Sequence, residues 1–165
     1  MHCDAALRSA GLDRGKQMTR RILATAFLAL ALTGCATGYH SATNPLLGLT
    51  GGYWDQKGPG SLIKVGFSGN GFIDRDKVAT YLLYRSAEVA QREGGTHFLF
   101  YTSLPDAVAD KRSSERSVGT LGGKPATYAY ILLAQADEAQ ALSAAEVIAR
   151  LGPQVKPKQV SGAAR

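Results

Sequence analysis

Few side chains in this sequence have the types and spacing that chemistry requires. The nearest approach is Gly66-Phe67-Ser68-Gly69-Asn70, read as lying between a strand and a helix. A serine framed by glycines at such a turn is the nucleophile elbow of hydrolases, in which a sharp strand-to-helix bend exposes the hydroxyl. Here Asn70 stands where the second glycine belongs. The base would have to be His97, because His40 is the one other histidine after Cys35. Gly69 and Gly71 before a helix suggest a phosphate cradle, but no third glycine follows and Asp74 at the helix start would repel an anion. His40 has no second metal ligand at useful spacing, and paired carboxylates are absent. The expectation is a non-enzyme with no metal and no organic cofactor. Ring stacking is the other chemistry on offer. In the run from Thr96 to Ser103, Phe98 and Phe100 alternate with His97, Leu99 and Tyr101. If the phenylalanines face a helix, His97 and Tyr101 face away, and Tyr128 and Tyr130 join them from a later strand. Such an aromatic face suits a glycan, a peptide or a partner strand. Coverage of that face by the last helix or by the N-terminal segment is the structural alternative.

The elements that position these residues follow from periodicity. Ser61 to Ser68 alternates Ile63, Val65 and Phe67 with Leu62, Lys64 and Gly66, the pattern of a half-buried strand. Asp74 is a suitable N-cap for a helix over 75–93, on which Ala79, Leu82, Leu83, Ser86 and Ala90 form one stripe and which Gly94 and Gly95 end. Thr96 to Ser103 reads as a central strand, and a strand–helix–strand unit predicts two parallel strands with the helix on one face. Leu104 to Pro125 reads as a mobile loop with a short strand near Arg116 to Thr120. Ala126 to Gln135 is another strand. Ser143 and Glu146 form a capping box for a short helix stopped by Gly152 and Pro153. The fold class is therefore α/β in the α+β sense: a two-layer sandwich with a small mixed sheet of three to four strands, one long helix and a short C-terminal helix on one face.

The N-terminal part has a different character. Residues 1–17 lack apolar periodicity and precede a second methionine, Met18, so they read as an over-extended start. Residues 18–34 place Arg20 and Arg21 before an apolar run too short to span a bilayer comfortably, as in an export signal. Residues 35–60 are rich in Gly, Ser, Thr and Asn and read as a flexible tether, with a short edge strand around Gly52 to Asp55. Residues 61–152 form the single globular domain, and 153–165 read as a disordered tail. The chain's formal charge is +6, but residues 1–35 carry five Lys/Arg against two Asp, which leaves +3 for residues 36–165. That excess is too small and scattered to favour nucleic acid. The two cysteines are Cys3 and Cys35. With Cys3 in the removed start and Cys35 consumed by lipid, neither a disulfide nor a free thiol is expected.

Two resemblances add to this reading. Leu32-Thr33-Gly34-Cys35 resembles the lipobox of bacterial lipoproteins, which implies that Cys35 becomes the first mature residue and carries the lipid. Ala36 rather than an aspartate follows it, and by resemblance to enterobacterial lipoproteins this implies sorting to the outer membrane, facing the periplasm. Further on, Val65 to Phe72 ends a strand in Phe67-Ser68-Gly69-Asn70-Gly71. Tyr81 to Glu88 then carries Leu83, Arg85, Ala87 and Glu88, and Gly95 leads into Phe98. These segments resemble a family of small proteobacterial envelope lipoproteins of unknown function, over roughly 52–103. The resemblance implies fold and location and supplies no catalytic residue. The expected function is a non-catalytic, membrane-tethered interaction or structural protein. Its partners would be the membrane, through the lipid, and an envelope protein or the cell wall. The alternative is a periplasmic ligand- or glycan-binding module using the aromatic face of His97, Tyr101, Tyr128 and Tyr130, and a hydrolase centred on Ser68 ranks last.

Overall fold

A computed structural model describes residues 36–43, 51–113 and 117–157. Cys35, the lipobox and the export signal lie outside the described residues, as does the end of the chain from residue 158. The elements in chain order are β1 (Gly52–Lys57), β2 (Ile63–Ser68), α1 (Arg75–Arg92), β3 (His97–Tyr101), α2 (Leu104–Val108), β4 (Gly119–Leu121), β5 (Lys124–Ala134), β6 (Leu142–Ser143) and α3 (Ala144–Val155). The sheet runs β1-β2-β5-β3-β6, with β4 paired to β5. The result is a two-layer α+β sandwich with α1 and α3 packed together on one sheet face.

The sheet is larger than the mixed one of three to four strands expected from the sequence. Among the described residues it has six strands, and every ladder between them is antiparallel. β2 and β3 do run in the same direction, but they do not touch, because β5 lies between them. β5 pairs along both of its edges, Ala126–Ile131 with β2 on one and Tyr130–Ala134 with β3 on the other. Inserting it converts a parallel crossover into two antiparallel ladders, whose straighter hydrogen bonds are slightly more stable per residue.

Local chemistry fixes the ends of α1. The Asp74 carboxylate accepts from Asp76 N at 2.7 Å. At the other end Gly94, at φ +84°, donates to Gln91 O, while Gly95 N donates to Ala90 O at 2.8 Å, the paired bonds of a Schellman stop. The buried arc of α1 is wider than one stripe, and takes in Val78, Tyr81, Leu82, Tyr84, Val89 and Ala90. One side of the helix meets Phe67, Phe98, Phe100 and Ile131 of the sheet, while the other meets Ala144, Val147, Leu151 and Val155 around α3. Full burial of each large apolar side chain in that core is worth about 1.5–3 kcal/mol.

Three sequence expectations change. First, the stretch 35–60 is not a tether throughout. Thr37 is buried, Tyr39 packs its ring against Tyr53, Tyr81 and Tyr84, and residues 40–42 bond to the edge of β1. Aromatic burial outweighs the Gly- and Ser-rich composition there. Second, α3 continues through Gly152 and Pro153 to Val155, because Val155 enters the core and Lys156 pairs with Glu88 at 2.7 Å. These contacts offset the backbone bond that Pro153 cannot donate. Third, the loop after β3 is ordered in two pieces. α2 is capped by Ser103, whose hydroxyl accepts from Asp106 N, and β4 turns into β5 through Gly122 and Gly123, both at positive φ. Consecutive positive-φ residues are what a two-residue hairpin turn requires.

Candidate functional site

The sheet face turned away from α1 and α3 is occupied in two different ways. Toward the β3 end, Leu99, Tyr101, Tyr130 and Ala134 form a second small core under Leu104 and Ala107 of α2. Toward the β1 end no helix among the described residues covers the sheet. There Trp54 on β1, Gly66 on β2 and Tyr128 on β5 lie side by side in one register row. A Cβ at Gly66 would stand 2.2 Å from the Trp54 ring, so the indole lies against a backbone that only glycine leaves bare. Trp54 and Tyr128 border a groove of about 400 Å³, closed on its far side by β4 and supplied with hydroxyls by Ser68, Thr102, Ser117 and Thr120. Lys64 stands two residues from Gly66, with its ammonium 4.3 Å from the Tyr128 ring centroid and 5.7 Å from those of Trp54 and Tyr130. No carboxylate among the described residues pairs with it.

The four candidate binding residues divide accordingly. Phe98 and Phe100 do face the helices, and Leu99 and Tyr101 do face away. However, Tyr101 is 2% exposed and Tyr130 8%, so neither offers a binding surface. The physical reason is α2, which lies across them. Tyr101 also donates to Asp110 at 2.7 Å, and burial together with that carboxylate pushes its hydroxyl up to about 12. Tyr128 is 47% exposed and remains available. His97 sits at the opposite end of the sheet, opposite Ala134 rather than near Tyr128, with Nδ1 3.1 Å from Thr96 Oγ1. The same register separates His97 from Ser68. Ser68 pairs with Ala126 and His97 with Ala134, eight residues along β5 and so about 26 Å apart, which rules out a Ser68–His97 hydrolytic pair.

The turn that suggested a nucleophile elbow has a structural task. None of Gly69, Asn70 and Gly71 adopts the positive φ expected of such a turn. Gly69 is required for space instead, since a Cβ there would meet Ile73 Cγ2 at 2.2 Å. Asn70 Oδ1 accepts from Phe72 N at 3.0 Å and from Thr37 N at 3.3 Å, while Asn70 N donates to Thr37 Oγ1 at 2.7 Å. A second clamp holds Tyr39, whose hydroxyl donates to Glu88. Glu88 is also bridged by Arg85 at 3.2 Å and by Lys156, and Arg85 reaches Asp55 at 2.6 Å beneath the Tyr53 ring. Burial works to raise both carboxyls, but the hydrogen bonds from Arg92 and Arg85 hold Asp55 below its ordinary range, and those from Lys156 and Tyr39 do the same for Glu88. Burial, reinforced by the bond to Glu88, drives the Tyr39 hydroxyl far above its usual value.

No protein-family model, curated protein or solved structure matches this chain. The chemistry of the groove therefore rests on its own geometry. Among the described residues no group of three or more His, Cys, Asp and Glu side chains is placed to hold a metal, and no helix is long and apolar enough to cross a membrane. What the groove offers is stacking on two rings, hydrogen bonding to hydroxyls, and one cation at its edge. Sequence reasoning found Tyr128 but missed Trp54, Gly66 and the hydroxyl wall. Their shared row depends on how β1 registers on β2 and β2 on β5, and no local signal encodes that pairing.

Proposed function

We propose that this protein is a non-catalytic binding module of the bacterial envelope, anchored through lipid on Cys35, that holds a ligand or partner on the uncovered end of its sheet. The observation that carries the binding half is the groove bordered by Trp54 and Tyr128, a concave site that pairs apolar rings with a few convergent polar groups. The anchoring half rests on the resemblance of Leu32-Thr33-Gly34-Cys35 to a lipobox. Only Ala36 separates Cys35 from Thr37, where the chain is already bonded to Asn70, so a lipid at Cys35 would hold the domain on a very short lead. A mature lipoprotein carries several acyl chains, and two or more are needed for durable attachment.

The test has two arms in living cells. Metabolic labelling with a clickable fatty acid should mark the full-length protein and leave Cys35→Ser unmarked. Equal labelling of both overturns the anchor. A photo-reactive amino acid at position 128 should capture the same partner reproducibly, while one at exposed Lys77, on the other side of the molecule, should not. Capture from both positions alike, or from neither, overturns the site.

A further inference from the structure

The geometry points to an acidic saccharide as the occupant of the Trp54–Tyr128 groove, with its sugar rings against the aromatic side chains, its hydroxyls on the serine and threonine wall, and its carboxylate at Lys64. This deepens the binding reading above and rests on it.

Four features select that class. First, the walls combine rings with hydroxyls. A purely apolar ligand would strip water from Ser68, Ser117 and Thr120 without replacing it, whereas a sugar presents C–H faces to rings and hydroxyls to hydroxyls. Second, the floor of the groove is the face of β2 and β5, whose backbone N–H and C=O groups are already spent on both neighbours. Among the described residues the one open edge in its wall is β4, whose three residues are too few for a stable added strand. Third, among the described residues the lining has no charged side chain and a single lysine stands beside it, which does not suit a polyanionic backbone. Fourth, no carboxylate among the described residues pairs with that lysine. Lys64 is surrounded by Tyr128, Trp54 and Tyr130, and ring faces attract its ammonium without neutralising it. A carboxylate arriving there would gain a charge-assisted bond next to aromatic surface that excludes water.

The experiment uses full-length protein in detergent and two peptide-free probes. One is a β-linked oligosaccharide of N-acetylglucosamine with alternate rings carrying the 3-O-lactyl carboxylate of N-acetylmuramic acid. The other is the same oligosaccharide with those carboxylates converted to neutral carboxamides, so that the pair differs in charge and not in the lactyl bulk. Titration calorimetry should show the acidic probe binding about tenfold more tightly, the scale of one charge-assisted hydrogen bond. Lys64→Met, which keeps the length of the stem, should abolish that preference and leave the neutral probe unchanged. Tyr128→Ala should weaken both by about tenfold or more, with an unchanged circular dichroism spectrum establishing that the fold persists. Equal binding of the two probes, or a preference that survives Lys64→Met, overturns the role of the carboxylate. Binding of neither probe overturns the saccharide. If neither binds while position 128 still captures a partner in cells, only the ligand class fails and the binding site stands.

Discussion

The two faces of this sheet are built from the same strands, yet they do opposite work. Along β5, Ala129 and Ile131 point into the helix-covered core, while Tyr128 and Tyr130 point the other way. On the covered face, Val65, Phe67, Phe98 and Phe100 are fully or nearly buried and carry no polar atom. The other face is divided: its β3 half is a second small core in which Leu99 and Ala134 carry no polar atom and over which Leu104 and Ala107 of α2 pack, whereas its β1 half uses Trp54, Lys64 and Tyr128, side chains with a polar end. Stability is concentrated on the first face, and the proposed recognition falls on the exposed half of the second. The contrast predicts that substitutions separate cleanly by face.

The largest effect is expected on the covered face. Phe98→Ala removes a fully buried ring from beneath α1 and should cost about 3–5 kcal/mol, a large share of the about 5–15 kcal/mol by which a domain is ordinarily stable. Denaturant titration measures it, and a cost below about 1 kcal/mol would mean that this face is not the main core.

Next comes the clamp on the N-terminal segment. Arg85→Ala strips Asp55 and Glu88 of a shared partner while both remain largely shielded from water, and should cost about 2 kcal/mol or more. The same network sets an acid limit. Asp55 and Glu88 both have folded-state values depressed below those of the unfolded chain, so their contribution is complete above the ordinary carboxylate range and is lost as pH falls through the depressed values. Melting temperature should therefore fall on acidification below about pH 4, and fall less steeply in Glu88→Gln. An equal slope in both proteins would remove Glu88 as a contributor.

How much of this was legible follows from the range over which each signal acts. Asp74, Gly94 and Ser143 announce the helix ends because capping is decided within four or five residues, and each cap forms where the sequence places it. The alternation of His97 to Tyr101 assigns the inward phenylalanines correctly for the same reason. The place of β5 between β2 and β3 was not legible, because sheet order is set by pairings between strands far apart in the chain, which no strand's own pattern encodes. Nor was the burial of Tyr101 and Tyr130, since it follows from a five-residue helix whose Pro105 and small side chains read as loop. The turn at Gly69-Asn70 was visible but suggested the wrong task. Its asparagine serves Thr37, thirty-three residues away, and no local pattern points there.

Gly66→Ala tests where the two faces meet. The methyl group would stand 2.2 Å from the Trp54 ring and must push the indole off the sheet. The backbone at Gly66 does not have positive φ, so the cost is packing alone, about 1–3 kcal/mol. Because Trp54 borders the groove, the tryptophan fluorescence, which has a single source in this chain, should shift as the ring moves. An unchanged spectrum with unchanged stability would mean that the indole is not seated against Gly66.

The smallest effect sharpens the contrast most. Tyr128 is nearly half exposed, and its ring meets Tyr130 edge-on at 6.1 Å and the Lys64 ammonium, but enters neither core. Replacing it by alanine therefore forfeits one cation–π contact and one ring contact at a solvated site, about 0.5–1 kcal/mol in total, against the several expected for Phe98 on the opposite face. Chemical denaturation of Tyr128→Ala should show a midpoint close to that of the parent and the same slope. A loss as large as that of Phe98→Ala would place Tyr128 in the structural core and leave the exposed half of this face without a side chain kept for a ligand. Near-parent stability is what the proposed binding role requires, because a side chain kept for a ligand contributes little to folding.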